Sequence, residues 1–430
     1  MLVGIIMFIA LFVLLLSGMP IAGALGLVGL GSIIILDVNL LKGISSVVWN
    51  NSTNFVLAAA PLFVLMGEIM VRSGTSAKFY RAISVWVRWL PGGLLQANLA
   101  ACTIFAAVSG SSVATAATMG TVAIPEMVRL KYDKGLIYGS LAAGGTLGIL
   151  IPPSIAMIIY GSLTNESVGR LFIGGIIPGF LMAAMFAVYI MIRAALDKKI
   201  APVEASSKMT PRELLLSTYD IAPTMLLLIV IIGGIYLGWA TPTEIAALGV
   251  AFSLLIAVGT RQYSWQKFGQ SLIYTVSMTS MLLFVIIGAQ VFSFALFSWG
   301  ATFEIATQVV SLQTHPLVVW TLVIIAYLFL GMFIDAISMM VLTVMVVQPI
   351  IVQLGFDSLW FGVTLVLLLE IGLITPPVGL NLYAIKAVAD DASFKQIVSG
   401  SFPFVILLLV GILFLTIFPQ LVLWLPSKIF

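Results

Sequence analysis

The sequence predicts an all-α protein that crosses a membrane many times. Of its 430 residues, 61% are hydrophobic and only 8% are charged. This excess runs along the whole chain, and no class of soluble protein shows it. A helix needs about 20 apolar residues to cross the core of a bilayer. Stretches of that kind lie at 2–18, 20–36, 52–72, 92–108, 135–160, 170–195, 219–238, 243–259, 270–298, 317–334, 358–385 and 399–425.

The basic residues predict how the chain is oriented. With the N-terminus placed outside, sixteen of the nineteen Lys and Arg residues fall on the inner side of the membrane. The three exceptions are Lys42, Arg170 and Lys428. Because Lys and Arg accumulate in cytoplasmic loops, the side with sixteen is predicted to be the cytoplasm.

This sorting requires two segments to return to the side from which they enter. Residues 92–129 have basic residues close to both ends, whereas residues 317–354 have none at either end. Each segment is therefore predicted to be a re-entrant helical hairpin, one from each face of the membrane. The first is expected to turn at Ser109–Ser112 and the second near Asp335–Ser338.

An internal repeat supports the same architecture. At a constant offset of 224 residues, "LGILIPPS" at 147–154 aligns with "IGLITPPV" at 371–378. Upstream, "LFVLMG" at 62–67 resembles "LFVIIG" at 283–288. Two copies of one unit that enter from opposite sides form an inverted-topology repeat, which is typical of secondary transporters.

The repeat divides the chain into predicted regions. N-terminal scaffold helices occupy 1–60, a cytoplasmic linker 193–218 and central scaffold helices 219–269. The first repeat covers 61–192, with an arm at 73–91, a hairpin at 92–129 and a broken helix at 135–160. The second covers 270–430, with an arm at 299–316, a hairpin at 317–354 and a broken helix at 358–385.

The hairpin turns and two proline pairs predict the functional site. Proline has no N–H and clashes with the preceding helical turn, so each pair interrupts a helix. Irregular backbone survives in a membrane only where it lines a cavity or is buried in protein. Freed carbonyls beside hydroxyl groups suit Na⁺, and helix N-termini suit a carboxylate. Close helix packing through small residues is the alternative explanation.

The candidate residues follow from these features. The predicted cation-binding residues are Ser109, Gly110, Ser111, Ser112, Thr115, Gly331, Asp335, Ser338 and Thr375. The predicted substrate-binding residues are Ser112, Pro152, Pro153, Ser154, Pro376, Pro377, Gly379 and Asn381. The first hairpin turn is expected to pair either with the second turn or with the first broken helix.

Two acidic residues stand out because a carboxylate inside an apolar segment is costly and is a functional hypothesis by default. Asp335 lies in the predicted second hairpin. Glu370 lies in the second broken helix, where the first repeat has Thr146.

Several classes of function are excluded. A single cysteine and a single histidine leave no Cys/His metal site, and no ATP-binding G-x-x-x-x-G-K-[ST] motif occurs. An intramembrane hydrolase would need a base beside its serine, but His315 is predicted to lie in an outer loop. The net charge of +3 gives no indication of nucleic-acid binding. We therefore expect a transporter, neither an enzyme nor a cofactor protein, with Na⁺ as coupling ion.

Five segments together resemble one family. They are "AAVSGSSVATAATMG", "GTLGILIPPSIAMIIYG", "GRLFIGGIIPG", "GMFIDAISMMVLT" and "IGLITPPVGLNLY". The chain resembles the large membrane subunit of tripartite ATP-independent periplasmic (TRAP) transporters over essentially its entire length. By this likeness, cation sites fall on Ser109, Ser111, Ser112 and Asp335.

The resemblance implies a Na⁺-coupled importer of carboxylates, such as C4-dicarboxylates or sialic acid, with the elevator-type fold of the ion-transporter superfamily. It also implies a small four-helix membrane partner, a periplasmic substrate-binding protein, and a location in the bacterial inner membrane. In that membrane, the distribution of Lys and Arg predicts a periplasmic N-terminus. The alternative is a stand-alone Na⁺/carboxylate symporter that needs no binding protein.

Overall fold

The computed structural model describes residues 2–202, 210–302, 304, 307–308 and 314–429. These residues form α-helices, two 3₁₀ turns and short connections, with no strand among them. The helices are α1 (Leu2–Leu16), α2 (Ile21–Leu36), α3 (Leu41–Ser52), α4 (Ala59–Arg72), α5 (Thr75–Val87), α6 (Leu94–Ser109), α7 (Ser112–Arg129), α8 (Lys134–Leu150), α9 (Ile155–Thr164), α10 (Val168–Leu196), α11 (Pro211–Tyr236), α12 (Pro242–Gly259), α13 (Trp265–Ser298), α14 (Pro316–Gly331), α15 (Ala336–Gln353), α16 (Ser358–Leu373), α17 (Leu380–Val388), α18 (Phe394–Ile417), α19 (Gln420–Leu423) and α20 (Pro426–Ile429).

The predicted all-α membrane class is confirmed. Within the described residues, eight helical stretches are long and apolar enough to cross a membrane. They differ in how deeply they are enclosed by protein. In the most apolar 18 residues of Lys134–Thr164, 94% of the residues are buried, whereas in those of Pro211–Tyr236 only 28% are buried. The first broken helix therefore lies in the core, and α11 lies at the periphery with apolar side chains outward.

The helix bounds repeat at the offset found in the sequence. Helices α7 and α15 begin 224 residues apart and end 224 residues apart. The next helix of each copy starts behind an aspartate that caps it. Asp133 Oδ1 accepts the N–H of Leu136 at 2.8 Å, and Asp357 Oδ1 accepts the N–H of Trp360 at 3.0 Å. Equivalent residues therefore form equivalent local structure in both copies.

Several predicted boundaries differ from the structure. Helix α3 lies between the second and third predicted spans, where no span is predicted. The predicted span 52–72 is interrupted because the Asn54 side chain accepts the N–H of Val56 at 2.9 Å and starts a 3₁₀ turn before α4. At the linker, α11 begins early because Thr210 and Glu213 form a capping box.

Part of two predicted regions lies outside the described residues. These parts are 203–209 of the linker and, in the second arm, 303, 305–306 and 309–313. In the first arm, predicted at 73–91, the helix is α5.

Candidate functional site

The first hairpin, α6 and α7, turns at the predicted residues. Helix α6 ends at Ser109 and α7 begins at Ser112, and Gly110 adopts the left-handed conformation with φ of 62° that this tight turn requires. Ser111 caps α7 by accepting the N–H of Ala114 at 3.3 Å. The turn therefore places a helix C-terminus and a helix N-terminus side by side.

Oxygen atoms cluster around Ser109. Its Oγ lies 2.6 Å from Thr115 Oγ1, and it is 3.3 Å from the carbonyl oxygens of Ala106 and Ser111. Ser109 is 6% exposed and Thr115 is fully buried. The cluster combines hydroxyl and carbonyl oxygens at the C-terminal end of α6, where the helix dipole favours a cation.

The first hairpin turn packs against the first broken helix, which is one of the two neighbours that the sequence allows for it. A Cβ atom built on Gly145 of α8 would lie 2.9 Å from the carbonyl oxygen of Ser112. Helix α4 approaches from another side, since a Cβ on Gly67 would lie 2.5 Å from the carbonyl oxygen of Ser109. Only glycine permits these two approaches.

The first break separates α8 from α9. The peptide bond between Pro152 and Pro153 is cis, and both residues are buried. Ser154 is fully buried and caps α9, with Oγ accepting the N–H of Met157 at 3.3 Å. The structure therefore encloses the three predicted substrate-binding residues of this break in protein.

The second hairpin, α14 and α15, turns earlier than predicted. Its turn spans Met332–Asp335, whereas Ser338 lies inside α15 and is buried. The turn therefore precedes the position predicted near Asp335–Ser338 and shares only Asp335 with it, because the Asp335 carboxylate caps α15. Asp335 Oδ1 accepts the N–H of Ser338 at 3.1 Å.

The second turn packs against the second break. The N–H of Val378 donates to the carbonyl oxygen of Met332 at 3.1 Å. A Cβ on Gly372 would lie 2.9 Å from the Cα of Gly331, so α16 and α14 touch through their backbones. Thr375 Oγ1 donates to the carbonyl oxygen of Ile371 at 2.6 Å. Of the candidates, Gly331 ends α14, Asp335 closes the turn, Ser338 lies in the first turn of α15, and Thr375 lies in the second break.

The remaining candidates of the second break are Pro376, Pro377 and Gly379, which precede α17, and Asn381, which lies in its first turn. The peptide bond between Pro376 and Pro377 is cis, and Gly379 has φ of 48°. Asn381 is fully buried, and its Nδ2 donates to the carbonyl oxygen of Ala142 in α8 at 3.0 Å. This bond joins the second break to the first broken helix.

Two predicted residues carry buried oxygen atoms without a hydrogen-bond partner. They are Ser112 Oγ and Asn381 Oδ1, on side chains that are 2% and 0% exposed. Ser112 lies against Gly145, and Asn381 binds Ala142, one turn earlier on α8. A buried polar atom left unpaired costs about 1–3 kcal/mol, so these two oxygens are candidates for contact with a ligand.

The sequence singles out Glu370 as an embedded acid but does not place it among the candidate site residues. It is fully buried in α16 beside the backbone of Leu150, yet neither carboxyl oxygen has hydrogen-bond geometry with a described residue. Its counterpart Thr146 is satisfied, since Thr146 Oγ1 donates to the carbonyl oxygen of Ala143 at 2.7 Å. The sequence signal for a role of Glu370 is a carboxylate embedded in an apolar segment, two residues before Gly372.

Within the part of the chain that the structure describes, no three His, Cys, Asp or Glu side chains form a group able to hold a metal ion. The candidate site is built from hydroxyl, amide and carbonyl oxygens and from helix ends. Such a site suits a weakly held alkali cation and a carboxylate, as in transporters with broken helices.

Comparison with known proteins assigns the family. Residues 8–421 match the family described as "Tripartite ATP-independent periplasmic transporter, DctM component". The chain belongs to this TRAP transporter family. It is 35% identical over 405 residues to the C4-dicarboxylate TRAP transporter large permease protein DctM of Pseudomonas aeruginosa, covering 94% of each chain. It is 31% identical over 417 residues to the sialic acid TRAP transporter large permease protein SiaM of Vibrio cholerae, covering 96% of each.

A solved structure supports the fold of this TRAP permease. The YdaH transporter of Alcanivorax borkumensis superposes with a TM-score of 0.65, covering 92% of this chain and 90% of that one, at 14% identity. The family resemblance inferred from the five sequence segments is confirmed. The prediction that the chain is not an enzyme is confirmed too, because the related proteins are permease subunits of transporters.

Proposed function

We propose that this TRAP permease imports a carboxylate together with Na⁺, and that both bind where Ser112 and Asn381 meet α8. The observation that carries the proposal is the pair of buried, unpartnered oxygens on these side chains. The Ser112 hydroxyl can donate to a substrate carboxylate at the N-terminus of α7, where the helix dipole favours negative charge. Asn381 Oδ1 can accept from a substrate hydroxyl or contact the cation.

The Ser109 cluster supports a Na⁺ site next to that position. Thr115 Oγ1 and the carbonyl oxygen of Ser111 each lie within hydrogen-bond distance of Ser109 Oγ. Hydroxyl and carbonyl oxygens at a helix C-terminus are the ligands that Na⁺ takes in broken-helix transporters. The second turn and the second break offer further oxygen ligands, namely the Asp335 carboxylate, the Thr375 hydroxyl and carbonyl groups freed by the prolines.

The substrate proposed here is a C4-dicarboxylate or sialic acid. The two relatives described above are named for these compounds, and both compounds carry a carboxylate. Four helix N-termini support carboxylate binding, since α7, α9, α15 and α17 all begin at the turns and breaks.

Transport is proposed to follow an elevator mechanism. The hairpins and broken helices would move as one body against α1–α4 and α11–α13. Coupling requires Na⁺ to bind the substrate-competent arrangement more tightly than the others, because a ligand shifts an equilibrium only by its differential affinity. The close contacts between each turn and its neighbouring break support movement of these elements together.

The proposed assembly lies in the bacterial inner membrane with a periplasmic N-terminus. It includes a small four-helix membrane subunit and a periplasmic protein that delivers substrate, as the tripartite family name implies. Large apolar side chains exposed on α11, such as Leu215 and Ile229, support contact of this face with lipid or with the small subunit.

Uptake into liposomes tests the proposed function. The chain is reconstituted with the small subunit, and radiolabelled C4-dicarboxylate or sialic acid is supplied with its binding protein. An inward Na⁺ gradient should drive accumulation of one of these compounds, and removal of either the gradient or the binding protein should abolish it. Gradient-independent uptake would contradict Na⁺ coupling, and full uptake without a binding protein would favour the stand-alone symporter.

A further inference from the structure

An open cavity of about 440 Å³ lies away from the candidate transport site, where α8 and α18 begin and α10 approaches its end. Its lining includes Lys134, Arg193 and Lys395, all on the face that the charge distribution assigns to the cytoplasm. The family function does not account for this cavity. Three cationic side chains around one cavity are the usual basis of anion recognition.

The three basic side chains have no acidic partner among the described residues. Other basic residues of the same face do, since Arg72 Nε lies 2.7 Å from Glu68 and Arg88 Nη2 lies 3.5 Å from Glu213. Repulsion among three like charges in one cavity is unfavourable, so the arrangement favours a bound anion.

The one acidic side chain of the lining is engaged locally. Asp133 Oδ1 accepts the N–H of Leu136 at 2.8 Å as the cap of α8. The lining thus carries three positive side chains and one negative. Arg193 is held in place by Tyr189, whose hydroxyl accepts from Nη1 at 3.2 Å.

A close helix crossing brings these groups together. A Cβ on Gly135 would lie 4.0 Å from the Cα of Gly400, and a Cβ on Gly400 would collide with the carbonyl group of Gly135. The backbones of α8 and α18 therefore touch beside the cavity. Lys134 and Lys395 each lie at the start of one of these helices, so the crossing sets the distance between their side chains.

We propose that this cavity binds a phosphate group, presented by the headgroup of an anionic phospholipid or as free phosphate. Lys and Arg donors recognise phosphate by charge-assisted hydrogen bonds. The neutral donors Ser393, Gln396 and Ser399 of the lining add further hydrogen bonds. Bound phosphate ties the first broken helix to α18, so occupancy stabilises the folded chain.

Thermal unfolding of the full chain in a neutral detergent tests the proposal. The probes are short-chain phosphatidylglycerol, short-chain phosphatidylcholine, and inorganic phosphate at matched ionic strength. The test variant combines Lys134→Gln, Arg193→Gln and Lys395→Gln. The control removes three charges from the same predicted face but outside the cavity, with Lys78→Gln, Lys198→Gln and Lys267→Gln. A charge-preserving variant, Lys134→Arg with Lys395→Arg, is measured as well, so that the role of charge can be tested even if the test variant fails to fold.

Phosphatidylglycerol should raise the Tm of the wild type and of the control variant by about 2 °C or more, because a ligand stabilises the state that binds it. The test variant should lose this shift, and the charge-preserving variant should keep it. A shift with phosphatidylglycerol alone identifies a lipid, and an equal shift with inorganic phosphate identifies a free anion. The proposal would be overturned if neither phosphatidylglycerol nor inorganic phosphate raised the Tm of the wild type. It would also be overturned if the control variant lost the Tm shift as the test variant does.

Discussion

The side-chain amide of Asn381 donates a hydrogen bond to the carbonyl oxygen of Ala142, 239 residues earlier in the chain, at 3.0 Å. This bond connects the two copies of the repeat, since Ala142 lies in α8 and Asn381 lies at the start of α17. Because Nδ2 is occupied, Asn381 is oriented with Oδ1 buried and unpaired. A structural contact and a proposed ligand contact therefore share one side chain.

Asn381→Ala should lower both stability and transport. Loss of a buried hydrogen bond and of side-chain volume is expected to cost about 1–3 kcal/mol of stability, and uptake should fall about 10-fold or more. Asn51→Ala is the control, since Asn51 Nδ2 also donates to a backbone carbonyl, of Val47 at 2.8 Å, but in α3. Equal uptake by both variants, compared at equal amounts of folded protein, would show that Asn381 acts only structurally.

Asp335→Asn should alter Na⁺ dependence without unfolding the protein. Asparagine caps a helix about as well as aspartate, so α15 keeps its cap while the negative charge is lost. The Na⁺ concentration for half-maximal uptake is expected to rise several-fold. Asp357→Asn is the matched control, because Asp357 caps α16 in the same way. An unchanged Na⁺ dependence for Asp335→Asn would remove this carboxylate from the cation site.

Gly67→Ala should impair transport by displacing the first hairpin turn. The added methyl would lie 2.5 Å from the carbonyl oxygen of Ser109, closer than real Cβ contacts permit. Overpacking of this kind typically costs about 1–3 kcal/mol. Gly233→Ala in α11 is the control, with nothing within 4 Å of the new methyl. Wild-type uptake and Tm for Gly67→Ala would show that α4 does not hold the turn.

Local features of the fold could be predicted from the sequence, and long-range contacts could not. Gly110 between serines predicts a turn, and the proline pairs predict breaks, because each depends on neighbouring backbone alone. The bond from Asn381 to Ala142 and the approach of Gly67 to Ser109 depend on how distant helices pack. The second turn precedes its predicted position for a local reason, since Asp335 ends the turn and caps α15.

Ser112 is proposed to line the place where Na⁺ and substrate bind. The chain has a single cysteine, Cys102, which is buried. In a Cys102→Ala background, Ser112→Cys introduces one thiol at the proposed site. Thr121→Cys places a thiol at an exposed position farther along the same helix.

The most direct measurement is the rate of maleimide labelling of these two thiols in the reconstituted complex, with and without Na⁺ and substrate. Na⁺ and substrate together should slow labelling at position 112 several-fold and leave the rate at position 121 unchanged. If labelling at position 112 were insensitive to both ligands in a variant that still transports, the placement of Ser112 at the binding site would be contradicted.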